Sequence, residues 1–118
     1  MENNKGCPVI RFEIGCINTE KTNAFYTSIF GWSGEPSPMA SYLNTNTDEG
    51  IQGHITALGH EPHHYVTFYI QVDDIVVYLQ KIEACGGKKI VGPVALPDGK
   101  QFAWFMDPDQ NIIGLVTK

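Results

Sequence analysis

The chain contains two copies of one structural pattern, and this internal repeat constrains its fold more than any other feature. Two segments, residues 9–16 and 65–72, place apolar side chains at every second position, as a strand with one buried face does. Phe12 of the first segment aligns with Phe68 of the second, and Ile14 aligns with Ile70, both at an offset of 56 residues. The repeat predicts two similar modules.

An amphipathic helix is expected after each of these two strands. In the first copy a polar cap at Asn18 or Thr19 precedes a helix that ends near Gly31. In the second copy a cap at residue 73 or 74, both aspartates, precedes a helix that ends at the glycine pair 86–87. The two helix ends keep nearly the same offset as the strands, which extends the repeat beyond one element.

Shorter strand-like stretches after each helix complete the two modules, and Gly53 in the first aligns with Gly114 in the second at an offset of 61 residues. The predicted fold is α+β, a single domain over residues 1–118 made of two βαβββ modules. Each module is expected to form a curved mixed sheet with a helix on its outer face, and the two sheets to enclose a cleft. The expected bounds are 8–57 for module one, 58–63 for a linker and 64–117 for module two.

Composition and charge argue against several functional classes. The chain has 118 residues and a formal net charge of -5, with no Lys/Arg cluster, so nucleic acid is not an expected partner. No apolar stretch approaches the roughly 18 residues of a membrane-spanning helix, and the N-terminus does not resemble a signal peptide. Three widely spaced cysteines without a CxxC pattern indicate reduced thiols, which favours a cytoplasmic location.

Three stretches together resemble a known superfamily. They are FEIGCINTEKTNAFYTSIFGW at 12–32, VTFYIQVDDI at 66–75 and ACGGKKIVGPVALPDGKQFAWFMDPDQNIIGL at 84–115. In this order they are similar to the glyoxalase/bleomycin resistance/dioxygenase superfamily, also called vicinal oxygen chelate proteins. The resemblance covers nearly the whole chain. One departure is Gln110, which stands where the superfamily has a glycine.

The resemblance implies paired βαβββ modules, a homodimer and small-molecule chemistry in the cleft, often with a divalent metal held by His and Glu. In metal-dependent members four strand positions supply the ligands, and here those positions carry Arg11, Gly53, Thr67 and Gly114. Arginine has no lone pair to donate, glycine has no side chain, and a threonine hydroxyl is a poor ligand. We therefore expect neither a metal nor another cofactor.

Strand alternation predicts which side chains face the cleft. Even-numbered apolar positions of the two repeated strands should lie under the helices, so the odd-numbered ones, Arg11 and Glu13 among them, should face the cleft. Arg11 is a candidate to grip a carboxylate or enolate oxygen with its planar guanidinium. The alternative is that Arg11 simply pairs with Glu13, two residues further along the strand. Glu13 is a candidate general base, so these two residues are the candidate catalytic groups.

The remaining candidates are aromatic residues and histidines. The four histidines, His54, His60, His63 and His64, fit no compact ligand motif. The three in or beside the linker are expected to be solvated, and His54 is expected on the opposite sheet face from Gly53. On the strand at 101–106, alternation does not decide whether Phe102 and Trp104, or Ala103 and Phe105, line the cleft. The predicted ligand-binding set is Arg11, Glu13, Gly53, Thr67, Tyr69, Trp104 and Gly114.

The resulting functional expectation is a metal-independent protein that binds a small organic molecule, with an anion as one option. The alternative is an enzyme: a lyase or isomerase related to lactoylglutathione lyase, or a dioxygenase-like enzyme with an atypical metal site. Sequence leaves the choice open, since one fold supports many functions.

Overall fold

The computed structural model describes residues 6–118 and contains, within that range, seven strands and two helices. The α+β class is therefore confirmed. The described chain divides into two compact units: a first unit of residues 11–67, and a second unit of residues 6–10 together with 68–118. The elements are β1 (Val9–Gly15), α1 (Thr19–Phe30), β2 (Ala40–Leu43), β3 (Gln52–Thr56), β4 (Val66–Val72), α2 (Ile75–Ala84), β5 (Lys88–Ala95), β6 (Gln101–Met106) and β7 (Ile112–Thr117).

Side-chain caps start both helices. The Asn18 side chain accepts a hydrogen bond from the backbone N–H of Lys21 at 2.9 Å, and Asp74 accepts one from Val77 at 3.2 Å. Of the alternatives that the sequence left open, Asn18 and Asp74 are thus the caps. The first helix ends at Gly31, whose φ of 74° is the left-handed conformation that glycine adopts without strain.

In the first unit β3 lies between two partners. It pairs in parallel with β1, which places Glu13 opposite His54, and antiparallel with β2, which places Tyr42 opposite the same His54. The three side chains therefore form a row across the three strands. An isolated bridge joins Ser33 to Asn44 beyond the end of β2.

In the second unit the strand order is β4-β7-β6-β5. Strand β4 pairs in parallel with β7, and β7 pairs antiparallel with β6. Tyr69 lies opposite Gly114, and Trp104 lies opposite the same glycine. This row of Tyr69, Gly114 and Trp104 is the counterpart of the row of Glu13, His54 and Tyr42 in the first unit.

The strand registers correct one detail of the predicted repeat. Glu13 and Tyr69 are 56 residues apart, as expected, but their partners His54 and Gly114 are 60 apart rather than the predicted 61. A slip of one residue exchanges the two faces of a strand. In addition, the first unit has two strands after its helix where the second has three, because Pro36 and Pro38 interrupt the segment before β2.

Each unit has its own apolar cluster. In the first, Cys16, Leu43 and Ile55 are buried, with Phe12 and Ile14 packed against them. In the second the buried residues are Val72, Ile75, Leu79, Ala103 and Leu115, with Ile70 and Phe105 packed against them. Even-numbered positions of the repeated strands thus contribute to both clusters, as predicted. The prediction is wrong for Val66 and Phe68, which are exposed. Because Ala103 and Phe105 belong to the second cluster, Phe102 and Trp104 lie on the other face of β6. Neither described helix is long and apolar enough to cross a lipid bilayer.

Candidate functional site

Four polar or aromatic side chains of the first unit share the sheet face that is turned away from its apolar cluster. Glu13, His54 and Tyr42 form the row across β1, β3 and β2. Arg11 lies two residues before Glu13 on β1, so it projects from the same face. The Cζ atom of Arg11 is 4.8 Å from the centroid of the Tyr42 ring, which is a cation–π contact.

The guanidinium of Arg11 is oriented by a hydrogen bond at Nε. Its Nε–H donates to Nδ1 of His54 at 2.9 Å, and Nη2 makes a longer contact of 3.4 Å with the Gly53 carbonyl oxygen. Since the planar fork is fixed by the bond at Nε, the direction of the terminal N–H groups is fixed as well.

His54 connects Arg11 to Glu13. Because Nδ1 of His54 accepts the Arg11 hydrogen bond, the imidazole carries its proton on Nε2, which donates to Glu13 Oε1 at 2.8 Å. Arg11 and Glu13 are therefore joined through an imidazole. The described residues offer Arg11 no carboxylate within ion-pair distance, so the predicted alternative of a direct Arg11–Glu13 pair is wrong.

Glu13 is a buried carboxylate, with only 2% of the residue exposed. Its second oxygen, Oε2, accepts a hydrogen bond from the Tyr65 hydroxyl at 2.6 Å. Distances this short are typical of an O–H group donating to an ionised acceptor. Two donors, one on each oxygen, compensate the loss of water around the buried charge.

Two glycines make room for Tyr65. A Cβ atom at Gly15 would overlap the Tyr65 ring, and one at Gly59 would overlap the Tyr65 hydroxyl. The ring of His60 stacks on the Tyr65 ring, with centroids 4.0 Å apart. From sequence, residues 58–63 are expected to form a linker, and Tyr65 has no expected role beyond its strand. A tyrosine followed by a Val-Thr-Phe strand offers no local signal of a partner 52 residues away.

His54 and Gly53 face the opposite way from the sequence-based expectation. A Cβ atom at Gly53 would meet the Phe12 ring, so Gly53 faces the apolar cluster and contributes only its carbonyl oxygen to Arg11. His54 lies on the face of Arg11 and Glu13, and its side chain is 19% exposed. Both orientations were predicted wrongly, because the repeat was aligned one residue out of register in β3.

Three of the predicted site residues come together in the second unit. Trp104 donates from Nε1 to the Tyr69 hydroxyl at 2.8 Å. The Tyr69 ring fills the space in which a side chain at Gly114 would lie, and Tyr69 is only 6% exposed. Thr67, which belongs to the first unit, is buried with 6% of its surface exposed.

The residues of this face do not fit the metal site that the superfamily resemblance implies. Among the described residues, no three His, Cys, Asp or Glu side chains come together as a metal would require. Both nitrogens of His54 take part in hydrogen bonds, and both oxygens of Glu13 accept them. A guanidinium beside them would add repulsion toward a cation. The arrangement suits an anion instead.

Comparison with known proteins agrees with the resemblance seen in the sequence. No protein-family model matches the chain. The chain is 27% identical to a glyoxylase-like domain-containing protein of Didymella fabae, with 90% of each protein covered. A glyoxalase/bleomycin resistance protein/dioxygenase superfamily member from Vibrio splendidus 12B01 superposes with a TM-score of 0.63 at 14% identity, covering 96% of this chain and 100% of that one.

A second solved structure is Streptomyces coelicolor methylmalonyl-CoA epimerase in a variant bound to 2-nitronate-propionyl-CoA. It gives a TM-score of 0.66 at 17% identity, and the match covers 95% of this chain and 94% of the epimerase. At such identities the structural matches show a common fold. The chain therefore has the mixed α+β fold of the superfamily that its sequence resembles.

Proposed function

We propose that this protein binds a small organic anion through Arg11 and that binding needs no metal ion. The observation that carries the proposal is the state of the Arg11 guanidinium: it is oriented by a neutral imidazole and has no carboxylate partner among residues 6–118. A fixed positive charge without a counter-ion is the group that a carboxylate or enolate would bind.

Orientation before binding supports this role. The bond from Nε to His54 and the contact with the Tyr42 ring fix two sides of the guanidinium. A ligand then loses less free energy to ordering the side chain than it would with a freely rotating lysine or arginine. The series of hydrogen bonds from Tyr65 through Glu13 and His54 to Arg11 thus supports the anion-binding group.

The charge balance also supports an anionic ligand. The imidazole separates Glu13 from Arg11, so the two charges do not neutralise each other in a direct pair. An entering carboxylate would supply the missing contact on Arg11, while Glu13 keeps its own two donors. Glu13 thus holds His54 in place, and Arg11 binds the ligand.

Calorimetric titration of the protein, with EDTA present, against short carboxylates such as acetate, pyruvate and benzoate tests the proposal. Loss of hydrogen bonds to a charged group costs about 1.5–3 kcal/mol, so Arg11→Met should weaken binding by about 10-fold or more. Lys21→Met, at an exposed cation of the same unit, should leave the affinity unchanged. Equal affinity of the parent and Arg11→Met, or binding that requires an added divalent metal, would refute the proposal.

The alternative is catalysis, and the hydrogen bond between buried Glu13 and His54 favours it, because paired carboxylate and imidazole groups carry protons in many enzymes. The candidates are a lyase or isomerase related to lactoylglutathione lyase, or a dioxygenase-like enzyme with an atypical metal site. One solved structure of the same fold is an epimerase. Hemithioacetal turnover that requires a supplied metal and falls in Glu13→Gln would establish this function over the first.

We also propose a homodimer in the cytoplasm, on the basis of the superfamily resemblance and of the reduced cysteines. Sedimentation velocity at micromolar concentration tests the assembly, and a single monomeric species would contradict it.

A further inference from the structure

A groove of about 470 Å³ lies in the first unit beside the Arg11 site. Its lining residues are Ser33, Gly34, Glu35, Tyr42 and Asn44. Sites for small molecules typically have volumes of roughly 300–1,000 Å³, so the groove is large enough for a compact ligand. Tyr42 belongs to both places, because its ring lines the groove and also contacts the Arg11 guanidinium at 4.8 Å.

One wall of the groove is fixed by backbone hydrogen bonds. Ser33 and Asn44 exchange two of them, of 2.9 Å from the Ser33 N–H and 2.8 Å from the Asn44 N–H. The backbone N–H of Asn46 donates to Asn44 Oδ1 at 2.8 Å. This bond holds the Asn44 amide in place as part of the wall.

The neighbouring wall is anchored by buried polar side chains. The Gly34 carbonyl accepts from Asn23 Nδ2 at 3.5 Å, and the Ser41 hydroxyl donates to Asn23 Oδ1 at 2.8 Å. Asn23 and Ser41 are 7% and 2% exposed. A Cβ atom at Gly34 would approach both side chains to less than 3 Å, so position 34 closes the wall with backbone alone. These contacts of Asn23 and Ser41 therefore fix the shape of the groove at Gly34.

The lining is mostly apolar, and two of its exposed residues, Glu35 and Tyr42, can attract a positively charged group. Glu35 supplies the carboxylate of the lining, and the face of the Tyr42 ring carries the negative part of the aromatic quadrupole. A ligand that reaches from Arg11 into this groove would pass from a cationic group to an anionic one, with the Tyr42 ring in contact with both regions.

We infer that the ligand is an amino carboxylate, whose carboxylate binds Arg11 and whose ammonium group lies in the groove against Glu35 and Tyr42. This inference rests on the proposed function, because it takes Arg11 as the carboxylate site. It adds the chemical class of the ligand and two further residues that select it. Neutral hydroxyl or methyl groups in place of the ammonium would lack the charge that Glu35 recognises.

The test compares unbranched ω-amino carboxylates of three to six carbons with the unsubstituted carboxylates of the same length, by calorimetric titration of the whole protein. The series samples the separation between the two charges. We expect at least one amino carboxylate to bind more tightly than its unsubstituted counterpart. Glu35 is exposed, and an exposed charge pair contributes about 0.2–1 kcal/mol, so Glu35→Gln should weaken binding of that compound by about 1.5- to 5-fold.

Two controls separate this inference from the proposed function. Glu49→Gln changes an exposed acid of the same unit outside the groove and should leave every affinity unchanged. Glu35→Gln should leave the unsubstituted carboxylates unaffected, whereas Arg11→Met should weaken both series. If Arg11→Met weakens both and Glu35→Gln weakens neither, the amino carboxylate is refuted and the anion site stands. If Arg11→Met weakens neither, the anion site itself fails.

Discussion

Removing one hydroxyl, by Tyr65→Phe, tests the support beneath Arg11. The hydroxyl donates to Glu13 Oε2 at 2.6 Å, and Glu13 is 2% exposed, so water cannot readily replace the lost donor. Hydrogen bonds to a charged group contribute about 1.5–3 kcal/mol to stability, and this bond ends on a buried acceptor. We expect Tyr65→Phe to lower the free energy of unfolding by about 2 kcal/mol.

Urea denaturation followed by circular dichroism measures this change. A loss of about 2 kcal/mol lowers the thermal midpoint by roughly 8 °C in a domain of this size, and the urea midpoint should fall with the slope unchanged. Tyr26→Phe is the matched control, because the Tyr26 ring stacks on Trp32 while its hydroxyl has no hydrogen-bond partner among residues 6–118. That variant should stay within about 0.5 kcal/mol of the parent.

The double variant Tyr65→Phe/Glu13→Gln distinguishes the hydrogen bond from a general effect of losing the hydroxyl. If the bond to the carboxylate causes the loss, the two changes should couple, because Tyr65→Phe costs less once the charge at Glu13 is removed. Equal stability of Tyr65→Phe and Tyr26→Phe would refute the reasoning. Additive effects of Tyr65→Phe and Glu13→Gln would refute it too.

Two further predictions concern the turn between β6 and β7. Gln110 has a φ of 72°, where a non-glycine residue costs about 1–2 kcal/mol. A glycine avoids this cost but loses about 0.5–1 kcal/mol of chain entropy. Gln110→Gly should therefore raise the free energy of unfolding by 0 to about 1.5 kcal/mol, and a lower urea midpoint would contradict this. In the same turn, hydrogen bonds from the Asn111 side chain and, to a lesser extent, from its backbone lower the pKa of Asp107. The Asp107 carboxylate therefore stabilises the fold at pH values above the pKa that it has in the unfolded chain. This contribution is lost as the pH falls through the lower pKa that Asp107 has in the folded protein. Asn111→Ala should flatten the decline of the urea midpoint between about pH 5 and pH 2, and identical profiles for the parent and variant would show that the side chain has no such role.

Much of the fold follows from local rules that operate within one segment. A strand with one buried face needs apolar side chains at every second position, so Ile14 and Ile70 could be assigned to the apolar clusters from sequence alone. Helix starts need an acceptor for free N–H groups, and Asn18 and Asp74 fill that role. Arg11 and Glu13 could be placed on one face for the same reason, since they are two residues apart on one strand.

The partners across strands could not be predicted in this way. Alternation fixes which residues of a strand share a face, but packing between distant segments fixes how one strand is shifted against another. In β3 that shift decides whether position 53 or 54 meets Glu13, and the repeat alignment chose wrongly. His54 therefore joined the site only when the pairing of β1 with β3 was known.

What the sequence determined by itself is the repeat, the helices with their caps, and the presence of an arginine and a glutamate on one strand face. The tertiary structure alone decided that His54 separates Arg11 from Glu13 and that Tyr65 completes the set from 52 positions further along the chain. The physical reason is that hydrogen bonds between side chains depend on positions to within about half an ångström. Strand periodicity assigns a side chain to a face, and only the packed structure gives its neighbours.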